Sequence, residues 1–264
     1  MPVPLSPLAL SSLVTTLRTA GCVFAEDEAA LITSTADDPA ALTAMVERRV
    51  AGLPLEHVLG WAQFSGLRIA VDPGVFVPRR RTEFLIRQAV ELAPGPAVVV
   101  DLCCGTGALG AALAAALDGV ELHACDVEPA AVRCARRNIG ELGRVYEGDL
   151  FAPLPGSLRG RVDVLLANVP YVPTEDVALL PAEARVHEPL VALDGGGDGL
   201  DVMRRVAAEA PQWLAPGGSL LVETSERQAA RAEETIGGSG LIPRVVSSDE
   251  LYATVVIGTM PAAP

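Results

Sequence analysis

Lysine is missing from this 264-residue chain, and all 20 basic residues are arginines. A phosphate-binding loop of the Walker type needs a lysine that reaches the β- and γ-phosphates of a nucleotide, which argues against ATP chemistry at such a loop. The 33 acidic residues outnumber the basic ones and give a formal charge of −13. An acidic surface repels phosphate backbones, so we expect no stable binding of nucleic acid.

Cysteine and histidine are also few, and neither is spaced as metal ligands are. The five cysteines are odd in number and form no Cys-x-x-Cys pair. The three histidines, His57, His123 and His187, are far apart in the chain. We therefore expect no metal site and no disulfide framework, and we interpret the histidines as surface or structural residues.

Long apolar runs are absent as well. No run approaches the roughly 18 apolar residues that a membrane span needs. The first 20 residues lack the basic start and small-residue cleavage site of a signal peptide. These absences predict no membrane partner and a cytoplasmic location. Half of the residues are hydrophobic, so the chain can bury a sizeable core, either in one large domain or in a large domain with a small second one.

The first 93 residues are predicted to form a small helical domain and a linker. Leucines and valines recur at helical spacing over 6–20, which predicts a first helix. Asp37-Asp38-Pro39 is typical of a helix start and predicts a further helix that ends near Gly52. Alternation over 62–77 predicts a short hairpin, and 82–92 predicts a helix that Pro94-Gly95-Pro96 ends. We assign 1–60 to an N-terminal substrate-recognition domain and 61–93 to a hairpin and linker helix.

Residues 94–264 are predicted to form the large second domain, because strand and helix patterns alternate there. Continuous apolar runs are typical of buried parallel strands, and their alternation with helices predicts an α/β fold with a doubly wound parallel sheet. The predicted strands are 97–102, 120–125, 144–147, 162–167, 219–223, 243–247 and 252–257, and the predicted helices run to 117, over 129–139 and over 201–214.

A glycine motif lies where the first of these strands ends and a helix begins. It reads Asp101-Leu-Cys-Cys-Gly105-Thr-Gly107-Ala-Leu-Gly110. Glycines here permit a tight turn and the close approach of a ligand to the backbone. Taken alone, the motif fits a dinucleotide site or an ordinary strand-to-helix turn as well.

Aspartates follow the next two strands and narrow the choice of ligand. Asp126 is placed to accept from two ribose hydroxyls, and Asp149 from an adenine amino group. Taken alone, either could be a cap or a turn residue. Together with Asp101 they predict an adenosine pocket, and an open glycine turn suits S-adenosylmethionine, which has no phosphate. The predicted cofactor residues are Asp101, Cys103, Gly105, Thr106, Gly107, Asp126, Val127, Asp149, Leu150 and Asn168.

The motif Asn168-Val169-Pro170-Tyr171 follows the fourth strand and indicates the acceptor. An amide nitrogen is a poor nucleophile because its lone pair is delocalised. The Asn168 side-chain oxygen and the Val169 carbonyl can accept from both N–H groups of such a nitrogen and favour a pyramidal geometry. Pro170 stiffens the turn, and the Tyr171 ring can stack on a planar acceptor. These four residues are the predicted catalytic set, acting by positioning and electrostatics.

The succession of motifs resembles the PrmC/HemK protein-(glutamine-N5) methyltransferases, whose signature is Asn-Pro-Pro-Tyr. The resemblance implies a seven-stranded, Rossmann-like class I methyltransferase domain preceded by a helical domain and a hairpin. It also implies methylation of the glutamine in the Gly-Gly-Gln loop of peptide chain release factors. Its further matching segments are 54–60, 64–68, 77–79, 82–83, 148–151, 187–189, 192–200 and 214–218.

Two departures from the family pattern bear on the substrate. Val169 stands where the family has its first proline, which leaves the backbone carbonyl in place but makes the loop less rigid. Arg80-Arg81 replaces the usual proline-glutamate before Thr82. The chain is therefore interpreted as a divergent subgroup, and its substrate is expected to differ if Arg80-Arg81 shapes the acceptor channel.

Three other functions remain open at this stage. One is N-methylation of a small amide or amine, with the helical domain as a lid. Another is N6-adenine methylation of nucleic acid after base flipping, which the acidic charge disfavours. The last is a ligand-binding scaffold without catalysis, and Val169 in place of the family proline is the only observation that suggests it. The fold cannot choose among them.

Overall fold

A seven-stranded sheet forms the centre of the protein in the computed structural model, which describes residue 3, residues 5–93 and residues 95–262. The spatial strand order is β5-β4-β3-β6-β7-β9-β8, and β9 runs antiparallel to both of its neighbours. The strands are β3 Val98–Leu102, β4 Glu121–Asp126, β5 Gly143–Glu147, β6 Val162–Ala167, β7 Leu214–Thr224, β8 Ile242–Ser248 and β9 Ala253–Thr259.

Helices cover both faces of this sheet, as the alternating pattern predicts. Apolar side chains of α5, α6 and α7 pack on one face, and those of α9 and α10 pack on the other. The helices are α5 Glu83–Leu92, α6 Ala108–Ala116, α7 Pro129–Ile139, α8 Ala182–His187, α9 Asp201–Glu209 and α10 Ala229–Gly238. The predicted class of fold is confirmed, including the seven strands.

The strand order reverses between β3 and β6, and this reversal determines where a ligand-binding crevice can form. β3 and β6 are hydrogen-bonded neighbours, yet the chain between them passes through β4 and β5 on one side only. The loops that leave their carboxyl ends therefore diverge and open a crevice, where ligands bind in sheets of this kind.

The predicted helix over 201–214 is too long. α9 ends at Glu209, a 3-10 turn spans Ala210–Gln212, and β7 already begins at Leu214. Pro211 cannot continue the α-helical hydrogen bonding, which accounts for the early end. α8 and α10 were not predicted, and the predicted break and domain boundary at Pro94 lie outside the described residues.

The N-terminal segment folds as four helices around their own small core. They are α1 Pro7–Thr19, α2 Ala25–Thr35, α3 Pro39–Val50 and α4 Leu55–Leu59. The predicted cap is present, because Asp38 Oδ1 accepts from the backbone N–H of Ala41 at 2.8 Å. Leu17 and Ile32 are fully buried in this core. No helix among the described residues is long and apolar enough to cross a bilayer.

A short antiparallel hairpin connects the two parts. It pairs β1 Trp61–Phe64 with β2 Leu67–Ala70. The carboxylate of Glu83 on α5 accepts from the N–H of Ser65 in the hairpin turn at 2.9 Å. The Asn138 side chain bonds both the N–H and the carbonyl of Ala70. The hairpin is thus fastened to α5 and α7.

A buried arginine joins the helical segment to the sheet domain. Arg49 donates to both carboxylate oxygens of Glu28, at 2.6 and 3.0 Å, and both side chains are about nine-tenths buried. The same guanidinium donates to Glu183 on α8 at 2.6 Å. These charged hydrogen bonds raise the pKa of Arg49, with those from Glu28 first, so the group is permanently cationic.

Arg49→Met should destabilise the protein, because it leaves Glu28 buried without its partner. Breaking one side of a buried ion pair costs about 3–5 kcal/mol. Urea unfolding followed by circular dichroism measures the loss. Arg18→Met is the matched control, since Arg18 and its partner Glu26 are both exposed and such pairs contribute little. Equal midpoints for the two variants would contradict the assignment.

Candidate functional site

A cavity of about 390 Å³ opens at the carboxyl ends of β3, β4 and β6. Its volume lies in the range of small-molecule sites. The glycine turn after β3 forms one wall, and the loop after β6 forms another. A roof, defined here as residues 174–193, contributes Leu180, Pro181, Glu183 and Val191. Among the described residues, none before Gly74 lines the cavity.

The glycine turn is fixed from behind by the buried carboxylate of Asp101. Its Oδ2 accepts from the N–H of Gly110 at 2.9 Å, which ties the end of β3 to α6. Burial raises the pKa of Asp101 to about 7. Asp101 does not line the cavity, although it was predicted as a cofactor residue, so the structure gives it a supporting position.

Two glycines of the turn differ in what they do. Gly105 has φ +55° and lines the cavity, and an added Cβ would meet nothing within 4 Å. Gly107 has φ +76°, does not line the cavity, and an added Cβ would lie 3.0 Å from Ile139 on α7. Gly107 was also predicted as a cofactor residue; in the structure its missing side chain lets α6 pack closely against α7.

Cys103 and Thr106 line the cavity, as predicted. Cys103 has φ +53°, a left-handed conformation that is strained for a side chain with a Cβ. Burial raises the pKa of its thiol well above the ordinary value, so it remains neutral. The turn thus presents backbone groups and an uncharged side chain to the cavity.

Asp126 lies at the end of β4, where its carboxylate orders the neighbouring backbone. Oδ2 accepts from the N–H of Gly105 at 2.8 Å, and Oδ1 accepts from that of Glu128 at 2.9 Å. Burial raises its pKa. Each carboxylate oxygen has a further lone pair, and Asp126 lines the cavity beside Val127. Asp126 therefore adjoins the cavity, where it was predicted to bind ribose. It also holds the backbone at the start of α7, which was the alternative role.

Asp149 lines the cavity but is not a free carboxylate. Its Oδ2 pairs with Arg205 on α9 at 2.5 Å, which the sequence did not predict. Leu150 beside it has φ +48°, and its carbonyl accepts from the Cys125 thiol at 2.9 Å. The turn after β5 is thus held to both β4 and α9.

The loop after β6 contributes Asn168 and Val169 to the wall of the cavity. Among the described residues, no group donates to the Asn168 side-chain oxygen or to the Val169 carbonyl. The Val169 side chain is buried in the core, which orients the backbone at this position. The pair of acceptors predicted from the motif is therefore available to a ligand.

A glycine-rich segment lies directly against this loop. An added Cβ at Gly195 would lie 2.7 Å from the Pro170 carbonyl oxygen, and one at Gly199 would lie 2.3 Å from that of Tyr171. The N–H of Gly195 donates to the Val172 carbonyl at 2.8 Å. No larger residue could approach the loop so closely, which explains Gly195 and Gly199.

The hydroxyl of Tyr171 is held by two charged side chains. It accepts from Arg81 at 2.6 Å and donates to Glu223 Oε1 at 3.0 Å. Arg81 also donates to Glu223 Oε1 directly, at 3.0 Å. Burial, and then the negative charge of Glu223, raise the pKa of Tyr171 to about 12, so the hydroxyl is protonated at neutral pH. The Tyr171 ring lines the cavity, as the predicted stacking role requires.

The roof is fastened by another arginine. Arg79 pairs with Glu188 at 2.5 Å, and the Glu188 side chain is almost fully buried. Burial raises the pKa of Glu188, although Arg79 lowers it. Sequence reasoning did not identify Glu188, Arg205 or Glu223 as site residues. Only Glu188 lay in a quoted family segment, so it alone carried a signal.

The charges around the cavity favour a cationic ligand. Each of its three lining arginines is paired with a carboxylate, Arg79 with Glu188, Arg81 with Glu223 and Arg205 with Asp149. Asp126 and Glu128 also line the cavity, and no arginine forms an ion pair with either among the described residues. The wall around Asp126 is therefore negative, which suits a positively charged group.

Comparisons with known proteins agree with this geometry. Residues 66–198 match the methyltransferase small domain family. The release factor glutamine methyltransferase of Geobacter sulfurreducens is 39% identical over 196 residues, which cover 73% of this chain and 68% of that protein. The one of Mycolicibacterium smegmatis is 40% identical over 220 residues, covering 81% and 78%. A methyltransferase structure from Pyrococcus furiosus superposes with a TM-score of 0.56 at 19% identity, covering 74% and 90%.

Asp101→Asn should remove a pH dependence of stability while keeping an acceptor for Gly110. The pKa of Asp101 is raised to about 7 from 3.8, so between these values only the folded state holds the proton. The wild-type free energy of unfolding should fall by about 1.4 kcal/mol per pH unit through this group. Urea unfolding at pH 5, 6, 7 and 8 measures the difference between variant and wild type. Parallel profiles would contradict the prediction, and Asp249→Asn, at an exposed carboxylate, is the control.

Proposed function

The chain belongs to the release factor glutamine methyltransferase family, and from this premise we propose that it transfers the methyl group of S-adenosylmethionine to a glutamine side-chain amide of a peptide chain release factor. The observation that carries the proposal is that Asn168 and Val169 line the cavity, while Asn168 Oδ1 and the Val169 carbonyl accept no hydrogen bond among the described residues. An amide NH2 has two donors to match them.

The cavity fits S-adenosylmethionine in shape and charge. We propose that the backbone at Cys103, Gly105 and Thr106 and the carboxylate of Asp126 hold it, with Val127, Asp149 and Leu150 around its adenosine. The open Gly105 turn leaves room for a ligand, and the negative wall suits a sulfonium. When bound, this cofactor supplies an electrophilic methyl group. Asp101 and Gly107, which do not line the cavity, would support the turn through their contacts with Gly110 and Ile139.

Asn168 and Val169 activate the acceptor by positioning it. Two hydrogen bonds from the amide NH2 to fixed oxygens hold its nitrogen and favour a pyramidal form, whose lone pair can attack. Such acceptors need no reorganisation during the reaction, which is the basis of electrostatic catalysis. Pro170 and the close packing of Gly195 and Gly199 keep the two oxygens in place.

Tyr171 shapes the site and does not act as a base. Its pKa of about 12 keeps the hydroxyl protonated, and that proton is committed to Glu223. The ring provides an aromatic wall for a planar amide. A methylated amide nitrogen is strongly acidic and loses its proton to water without a dedicated base.

Features outside the cavity fit a protein acceptor. On the roof, Leu179, Val186 and Leu190 are 79%, 61% and 59% exposed, and exposed apolar groups near a site are typical of protein contacts. We propose that residues 1–60 recognise the acceptor and that residues 94–264 catalyse the methyl transfer. Residues 61–93 would link these two domains. We infer a cytoplasmic location, because release factors act in translation.

Transfer of a labelled methyl group tests the proposal. The purified protein is incubated with labelled S-adenosylmethionine and either a release factor, its Gly-Gly-Ala variant, total RNA, DNA or a metabolite extract. We expect label in the intact release factor alone. Label only in the extract would indicate a small amide or amine acceptor, and label in nucleic acid would indicate an adenine acceptor. Cofactor binding without transfer to any of them would indicate a scaffold.

Asp126→Ala should weaken binding of S-adenosylhomocysteine by about 1–3 kcal/mol, because charged hydrogen bonds to two hydroxyls and to the Gly105 turn are lost. Titration calorimetry measures the dissociation constant. Asp118→Ala changes an exposed aspartate after α6 and should leave the constant unchanged. Unaltered binding by Asp126→Ala would remove this residue from the cofactor site.

Asn168→Ala should lower kcat on the release factor by about 10²–10³, since a preorganised polar partner of the reacting group is lost. The dissociation constant of S-adenosylhomocysteine should change far less, because Asn168 acts on the acceptor. Asn168→Asp keeps an acceptor oxygen and should retain activity between wild type and alanine. Full turnover by Asn168→Ala would refute the role of the amide acceptors.

A further inference from the structure

Arg81 links two elements that are distant in the sequence at the edge of the site. It lies in the 3-10 turn Arg80–Thr82 ahead of α5 and lines the cavity. Its Nε donates to Glu223 at the end of β7, and its Nη2 donates to the Tyr171 hydroxyl. Its guanidinium carbon lies 6.0 Å from the centre of the Tyr171 ring. One side chain thus connects α5, β7 and the loop after β6.

Glu223 gives this connection a rigid base. Its side chain is 2% exposed, while that of Arg81 is 45% exposed. β7 lies between β6 and β9, and the backbone of Glu223 pairs with Val255. Arg81 is the only described residue that forms an ion pair with Glu223. Burying this carboxylate without a cation would be costly, so the pair constrains both residues.

Tyr171 is held at its other end as well. The Gln228 side-chain amide donates to the Tyr171 carbonyl at 2.9 Å and to the Asp198 carbonyl at 3.0 Å. Arg81 and Glu223 hold the hydroxyl, and Gln228 holds the backbone. Losing Arg81 would therefore release the ring while leaving the backbone of the loop in place.

We propose that Arg81 is a positioning residue for methyl transfer, which orders the loop Asn168–Tyr171 by fixing the Tyr171 hydroxyl against Glu223. The expected effects on kcat rest on the proposed function, but the ordering of Tyr171 by Arg81 can be measured without any methyl transfer. Arg81 acts through Tyr171 and Glu223, and its effect falls on the placement of the acceptor amide.

This role connects the two departures from the family pattern. Val169 replaces a proline, which removes a backbone constraint from the loop, and Arg81 replaces a glutamate. A glutamate at position 81 would face the buried Glu223 carboxylate and could not make this contact. The arginine therefore supplies at Tyr171 the rigidity that the loop lacks at residue 169. The N–H of Val169 has no acceptor among the described residues, so a proline there removes no hydrogen bond.

Substitution of Arg81 tests the role against a matched neighbour. Arg80 is exposed, does not line the cavity and makes no side-chain hydrogen bond or ion pair among the described residues. We expect Arg81→Met to lower kcat about tenfold through a misplaced acceptor and Arg81→Lys to restore part of it. Arg80→Met should stay at the wild-type rate. The dissociation constant of S-adenosylhomocysteine should stay within about threefold of the wild-type value for all three variants.

Two double variants separate positioning from a general loss of structure. With Tyr171→Phe the hydroxyl is gone, so adding Arg81→Met should lower kcat little further. With Val169→Pro the loop is stiffer, so Arg81→Met should cost clearly less than it does beside Val169. Equal costs of Arg81→Met in all three backgrounds would overturn the inference.

A spectroscopic measurement keeps the inference testable without activity. The chain has three tyrosines, so fluorotyrosine labelling gives three resonances, and Tyr171→Phe assigns one of them. Arg81→Met should shift or broaden that resonance, whereas Arg80→Met should not. An unchanged Tyr171 resonance in Arg81→Met would overturn the inference. A wild-type protein that methylates no release factor would instead overturn the proposed function.

Discussion

The placement of β3 beside β6 is the constraint on which the site depends. Because these strands are neighbours in the sheet but not in the chain, their carboxyl-end loops turn toward opposite faces. The crevice between them has backbone groups of the glycine turn on one side and acceptor oxygens on the other. The residues of the proposed mechanism lie on the loops at this reversal or pack directly against those loops.

Much of the fold follows from the sequence, because its elements are specified locally. The predicted bounds of the four strands β3 to β6 differ from the observed bounds by at most one residue. The helix start at Asp38-Pro39 and the helix Pro129–Ile139 were predicted at their residues. β7 was less predictable, since it includes Pro216-Gly217-Gly218, which reads as a turn. α8 has only six residues, and α10 buries only Ala232 and Ile236, so neither shows a full periodic pattern.

The candidate site was predictable where one motif carries both position and chemistry. Asp126, Gly105 and Asn168 line the cavity as their motifs indicate. Asp101 and Gly107 belong to the same motif but do not line the cavity, because Asp101 is buried within β3 against the Gly110 N–H and Gly107 packs against Ile139 on α7. Pairs such as Asp149 with Arg205 join residues 56 positions apart. Their partners are set by tertiary packing, and no local pattern records them.

The contact between Arg49 and Glu183 makes the helical domain and the roof thermodynamically coupled. Glu183 belongs to the roof that lines the cavity, and Arg49 belongs to the domain proposed to meet the acceptor. An equilibrium shared in this way is reciprocal: whatever favours one arrangement of the roof favours the matching arrangement of the helices. A ligand in the cavity that stabilised the roof would thereby raise the affinity of the helical domain for a protein, and that bound protein would raise the affinity for the ligand by the same factor.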